Sequence, residues 1–223
     1  MLIDLHVHTT LGSTDSNLAP DALVREAARA GLDAVCVTEH SGVWTDAQLE
    51  EAGNGGVRLF RGREIETEMG HVLAIGMPGF PNGMHRIKQL ARYCDENDAA
   101  LIAAHPFRHH VRPPAGQSCL LTRGANLASA DPATIVDALP NLSLFNSIEA
   151  FNGATTSPDN QVAEQVAEIL GTPTTGGSDA HSIEGLGSCA TQIDGDPRTT
   201  QELVDAIRSG AVIGVARNGN SRS

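Results

Sequence analysis

Short apolar runs and amphipathic stretches alternate along the whole chain, and that alternation predicts its elements. Residues 2–8 read LIDLHVH, a buried strand whose side chains alternate between two faces. Residues 21–31, DALVREAARAG, carry apolar positions at helical spacing, with Pro20 at the start and Gly31 as the stop. The strand AVCVTEH (34–40) follows, then a short helix, TDAQLEEAG (45–53), capped by Thr45 or Asp46. VRLFRGREIET (57–67) and HVLAIG (71–76) read as strands, MHRIKQLARYCDEND (84–98) as a helix, and ALIAAHPF (100–107) as a strand. Residues 108–131 are rich in Pro, Gly, Ser and Asn and read as a long loop with one short helix. Beyond it come a helix (131–139), the strand SIEAFN (147–152) and a helix from Ser157, its capping candidate, to Gly171. The strand and turn TPTTGGSDAH (172–181), the strand ATQI (190–193), a helix (199–210) and the strand AVIGVA (211–216) complete the pattern.

Alternating β and α units over this length define an α/β fold, either a parallel barrel or a doubly wound sheet. The polar residues choose between them. His8, His40, Glu64, His105, Glu149 and Asp179 stand at or just past the C-terminal ends of successive predicted strands. A barrel gathers those ends around one mouth, whereas an open sheet spreads them apart. No repeat or linker divides the chain. It reads as one domain, residues 1–216, with a disordered tail over 217–223.

Composition adds limits. A chain of 223 residues buries a sizeable core, and aromatics at 3% leave that core to Ala, Val, Leu and Ile. The net charge of −12 disfavours general binding to nucleic acid or to an anionic membrane, although bound cations would cancel part of it locally. The four cysteines are scattered, with no C-x-x-C pair, so neither a zinc ribbon nor a redox motif is expected. With no signal peptide before the first strand and no apolar run of membrane length, the expected location is the cytoplasm, with reduced thiols.

The candidate chemistry begins at DLHVHT. His6 and His8 share one strand face, with Leu5 and Val7 on the other, and form half of a divalent-metal site. STD (Asp15), TEH (His40), GREIE (Glu64), GHVL (His71), AHPF (His105) and GSDAH (Asp179, His181) bring the potential ligands to nine. All are imidazole or carboxylate, a set suited to Zn, Mn or Fe. Nine ligands exceed the needs of one ion. A bridging carboxylate such as Glu64 makes a cluster of two or three divalent ions the natural reading. No serine or cysteine has the setting of an activated nucleophile.

These motifs, in this order, resemble the PHP family (polymerase and histidinol phosphatase domains) from residue 4 to about residue 190. The resemblance implies a distorted TIM-like barrel of about seven strands, (β/α)7, with a trinuclear metal centre at its C-terminal mouth. It implies hydrolysis of a phosphate ester by a metal-activated hydroxide. Carried over residue by residue, His6, His8, Glu64 and Asp179 hold the first ion, and Glu64, His71 and His105 the second. Asp15, His40 and His181 hold the third. Two departures stand out: TEH replaces the more frequent TDH, and Asp15 is the acidic form of a ligand that is often histidine.

Other residues carry weaker signals. Arg108 directly follows HPF and either clamps a phosphate or pairs with a carboxylate. With Glu64 and Asp179 it completes the catalytic candidates. Glu149 and Asn152 are candidates to orient ligand histidines. His85, Arg61 and Arg63 read as surface residues, His109 and His110 as solvated loop histidines, and Gly176, Gly177 and Gly187 as tight-turn glycines. The expected substrate is a phosphorylated small molecule or a short nucleotide. An amide or lactone hydrolase is the alternative; it would call for a lysine at the metals, and Lys88 lies in a predicted helix away from them. A non-catalytic metal-binding accessory module is the third reading.

Overall fold

A computed structural model describes residues 1–53, 56–123, 125, 127–128 and 130–217; residues 218–223, nearly all of the expected tail, lie outside the described residues. In chain order the elements are β1 (Leu2–Val7), α1 (Pro20–Arg29), β2 (Ala34–Val37), α2 (Asp46–Gly53), β3 (Arg58–Thr67), β4 (Gly70–Ile75), α3 (Ile87–Glu96) and β5 (Ala100–Ala103). They continue with α4 (Leu120–Arg123), α5 (Pro132–Ala138), β6 (Ser147–Asn152), α6 (Ser157–Leu170), β7 (Thr174–Gly177), β8 (Cys189–Ile193), α7 (Thr200–Arg208) and β9 (Val212–Ala216). A 3-10 helix over Pro140–Leu144 had no counterpart in the sequence pattern.

The helices begin and end for identifiable reasons. Thr199 and Glu202 form a reciprocal capping box at the start of α7. Thr156 caps α6 by accepting from the Asp159 amide, so the cap lies one residue before the expected Ser157. Gly171 closes α6 in a left-handed conformation, φ +64°, that costs a glycine nothing.

All nine described strands join one sheet in the order β7-β6-β5-β4-β3-β2-β1-β8-β9. The sheet nearly closes on itself. The amide of Asp179, just past β7, donates to His6 O (2.8 Å), and the His8 amide donates to Ala180 O (3.0 Å), tying the end of β7 to the end of β1. The antiparallel β8–β9 pair, whose strands are joined through α7, occupies the same edge of β1 nearer its start, with β8 pairing Gln192 to Leu2 and Thr191 to Ile3. The result is an α/β fold of distorted TIM-like form. It departs from strict βα repetition, because β4 runs antiparallel to both β3 and β5. Two residues between β3 and β4 cannot carry a parallel crossover, and Gly70, φ +96°, turns the chain instead.

The core has an inner cluster in which Ile3, Leu5, Phe60, Ile75 and Ile102 meet Leu203, Val204 and Ile207 of α7. Two outer clusters lie under the other helices, one centred on α1 and one on α3, α5 and α6. Leu5 belongs to the inner cluster and Val7 to the outer one under α1, so they do not share a face as simple alternation requires. The β1–β2 register slips between Asp4 and Val7, and this irregularity is the cause. Among the described residues, no helix is long and apolar enough to cross a membrane.

Candidate metal centre

Glu64 is the hub of the site. It lies in β3, 4% exposed, and its two carboxylate oxygens face different histidines. Oε2 is 3.3 Å from His6 Nε2, 3.1 Å from His8 Nε2 and 3.4 Å from His40 Nδ1. Oε1 is 2.8 Å from His71 Nδ1 and 3.0 Å from His105 Nε2. Asp179 adds Oδ1 at 3.5 Å from both His6 Nε2 and His8 Nε2. His71 joins the group because β4 runs antiparallel, so its first residues lie beside the last residues of β3, with Glu66 opposite His71.

Three overlapping groups of donor atoms result: His6, His8, Glu64 and Asp179; Glu64, His71 and His105; and His8, His40 and His181. The third contains His8, while Asp15 stands on its outer side. Asp15 Oδ2 is 3.4 Å from His40 Nε2 and 3.3 Å from His181 Nε2, on a side chain that is 56% exposed. All nine candidate ligands therefore lie in one place.

The chemistry of this donor set fits divalent ions. His6 Nε2 and His8 Nε2 are buried and have no hydrogen-bond partner among the described residues, although carboxylate oxygens lie within 3.5 Å. Those spacings are those of ligands sharing an ion: donors about 2.1 Å from a tetrahedral centre stand about 3.4 Å apart. Without an ion the groups share protons instead. Burial works against a charge on His6, but Glu149, Asp179 and Glu64 outweigh it and hold His6 well above its ordinary pKa. Burial likewise opposes the charges of Glu64 and Asp179, yet His6 and its neighbours hold both well below the usual carboxylate range.

Backbone strain concentrates at this site. His105 and Asp179 are non-glycine residues with positive φ, +30° and +54°. Gly176 and Gly177 make the approach of β7 possible. A Cβ on Gly177 would stand 2.4 Å from His6 Cβ and 2.8 Å from Glu149 Oε1, and one on Gly176 would stand 2.3 Å from Ala190 O. The tight-turn reading is thus corrected for both: they lie in β7, and close packing requires them. Gly187, φ +71°, is a turn glycine.

Buried side chains orient the ligands. Glu149, 1% exposed, accepts from His6 Nδ1 (3.0 Å), the His105 amide (2.8 Å) and Asn152 Nδ2 (3.0 Å). Glu39, the departure in TEH, faces the loop after β1. It accepts from Ser13 Oγ (2.6 Å), Trp44 Nε1 (2.9 Å), the Thr9 amide (3.1 Å) and the Thr9 hydroxyl. Asp4 escaped the sequence reading. It accepts from the amides of His6 (3.2 Å), Ser178 (2.8 Å) and Gly187 (3.0 Å), and burial pushes its carboxyl up to about 6. Only its place in DLHVH hinted at this role.

Arg108 donates to Asn152 Oδ1 (3.0 Å), Thr155 Oγ1 (3.1 Å) and Asp179 Oδ2, so it is both paired and beside the site. The solvated reading of His110 is corrected: it is 3% exposed and hydrogen-bonded to Ala130 O (3.1 Å). Asp159, also missed, is the buried acceptor that holds this loop. His85 is exposed, and Arg61 pairs with Asp46 (2.7 Å). Lys88 is exposed on α3. A cavity of about 330 Å³ opens from His71 and His105 toward Arg108, His109, Leu121 and Arg123.

A nearly closed α/β barrel with a hub carboxylate and interlocking imidazoles defines a protein built to hold several divalent ions. The family model described as PHP domain matches residues 4–111, and the model described as PHP-associated matches residues 157–212. The chain belongs to the PHP domain family. The PolC-type DNA polymerase III of Oceanobacillus iheyensis is 38% identical over 63 residues, 28% of this chain and 4% of the polymerase. The error-prone DNA polymerase of Symbiobacterium thermophilum is 29% identical over 125 residues, 53% of this chain and 11% of that protein. The chain thus spans a small part of these curated relatives. The crystal structure of PsfC from Pseudomonas syringae PB-5123 superposes with a TM-score of 0.65 at 21% identity, covering 99% of this chain and 94% of PsfC, a likeness of fold.

Proposed function

We propose that this chain is a divalent-metal-dependent phosphoesterase acting on a phosphorylated small molecule or short nucleotide. The observation that carries the reading is the hub. Glu64 faces histidines with both oxygens, and two buried Nε2 atoms converge on it without hydrogen-bond partners of their own among the described residues. His6, His8, Glu64 and Asp179 would hold one ion, Glu64, His71 and His105 a second, and His40, His181 and Asp15 a third, at the C-terminal mouth of the barrel. Zn, Mn and Fe suit these donors. Bound there, such ions supply a nucleophilic hydroxide at neutral pH and neutralise phosphate charge.

The chain's own groups do the rest. Glu149 keeps the proton of His6 on Nδ1, which leaves Nε2 free as a ligand. Arg108, tied to Asn152 and Thr155, holds a guanidinium between Asp179 and the cavity, where it would grip a non-bridging phosphate oxygen. Among the described residues, the cavity walls present arginine and histidine and no carboxylate, which suits an anion in a chain of net charge −12. Its volume, at the lower end for small-molecule sites, suits a compact leaving group. The four cysteines are buried and unpaired, which fits a cytoplasmic setting. The amide or lactone reading calls for a lysine at the metals, and Lys88, the one lysine of the chain, stands exposed on α3. The polymerase relatives extend far beyond the matched region, and polymerisation forms no part of the proposal.

The test is hydrolysis by manganese-loaded protein of matched phosphomonoesters and phosphodiesters. Chelation, His8→Ala and Asp179→Asn should each abolish turnover. Full activity in either variant would refute the site, and inactivity of loaded wild-type protein on every ester would refute the function.

A further inference from the structure

We infer that His109 is a further catalytic residue, the acid that protonates the leaving oxygen. The inference rests on the phosphoesterase reading and extends it. His109 lines the cavity that opens from His71 and His105, so it borders the space where a leaving group would lie. The other titratable or charged side chains on that wall are His71, His105, Arg108 and Arg123. The first two belong to the metal centre, and arginines do not give up protons near neutral pH. Among the described residues, His109 is therefore the one wall group able to deliver a proton there.

Its backbone points the same way. His109 has φ +66°, a left-handed conformation that a histidine adopts at a cost. Asp159, 2% exposed at the start of α6, imposes it. One oxygen accepts from the His109 amide (3.1 Å) and from Thr156 Oγ1 (2.9 Å); the other accepts from the amides of His110 (3.2 Å) and Val111 (2.8 Å). A buried carboxylate holding three consecutive amides fixes where the His109 ring starts. The neighbouring His110 is turned the other way, its Nε2 bonded to Ala130 O.

The step balances simply. Hydroxide oxygen forms a new bond to phosphorus as the bond to the ester oxygen breaks. The bonding pair stays on the ester oxygen, which takes the proton of the His109 imidazolium and departs as an alcohol. His109 regains a proton from solvent.

The test uses His109→Asn, because asparagine tolerates left-handed φ and keeps a polar side chain but carries no transferable proton. Substrates are benzyl and p-nitrophenyl esters, each as the phosphate monoester and as the methyl phosphodiester. The two leaving groups are similar in size, but the alkoxide needs a proton and nitrophenolate does not. In the ester class that wild-type protein hydrolyses, the variant should lose about 10²-fold in kcat on the benzyl ester and less than about threefold on the nitrophenyl ester. Equal losses on both esters would make His109 a binding or structural residue and overturn the inference. So would no loss on either. Inactivity of metal-loaded wild type toward all four esters would overturn the phosphoesterase reading itself, an outcome distinct from failure of the variant.

Discussion

Replacing Glu149 by glutamine should cripple the metal centre through a single proton. Glu149 Oε2 accepts two donors that cannot reverse their roles, the His105 amide at 2.8 Å and Asn152 Nδ2 at 3.0 Å. Its other oxygen is the nearer partner of His6 Nδ1, at 3.0 Å against 3.2 Å for Oε2. A glutamine must keep its carbonyl oxygen toward the two fixed donors, since an NH2 there would oppose both. Its NH2 then faces His6 Nδ1. The imidazole satisfies that contact by accepting on Nδ1, which moves its proton to Nε2, the atom that points at Glu64 and Asp179. A protonated Nε2 is no ligand. Loss of such a supporting partner costs roughly 10–100-fold in metal affinity, about 1.4–2.8 kcal/mol. The assay is competition for Zn or Mn against a chromophoric chelator at neutral pH, alongside thermal melting of ion-free wild type and variant. The variant should fold and bind metal at least about tenfold more weakly. Affinity within twofold of wild type, in a variant that folds, would refute the account of how His6 is held.

Two other outcomes follow from the same geometry. Gly177→Ala should destabilise the protein by about 1–3 kcal/mol or more and weaken metal binding, because the added methyl meets His6 Cβ and Glu149; denaturant unfolding with and without metal checks it, and an unchanged midpoint would refute the close-packing argument. Metal binding should depend on pH with a fixed sign. His6 has a raised pKa in the ion-free fold, so its proton stabilises that fold below its unfolded pKa of about 6.5, and this stability is lost as pH rises through the raised value. Metal takes the unprotonated ring, so the gain in Tm on adding metal should be larger at pH 8 than at pH 6, with proton release on binding; a larger gain at pH 6 would contradict it.

What could be read from the chain, and what could not, divides along one physical line. Most of the nine candidate ligands were legible because they lie within or beside short apolar runs, and such runs announce strands wherever they pair; Asp15, in the loop after β1, was legible only through its motif. The reversal at β4 was also on the page. Only Glu68 and Met69 separate the two strands, too few for a crossover, yet regular βα alternation was the stronger expectation. The remaining features depend on which distant segments meet. Asp4 matters because Ser178 and Gly187 bring their amides to it across more than 170 residues. Asp159 matters because residues 109–111 fold back onto the start of α6. Gly177 looks like any turn glycine until β1 lies against it. Strain is the least legible of all, since nothing in the letters of AHPF or GSDAH states that His105 and Asp179 must take positive φ. Yet these hidden features share a purpose. Each fixes the position of a residue that the sequence had already singled out, either a ligand or a neighbour of one. The candidate ligands declare the chemistry, and the buried carboxylates behind them hold those side chains at a spacing that suits a divalent ion.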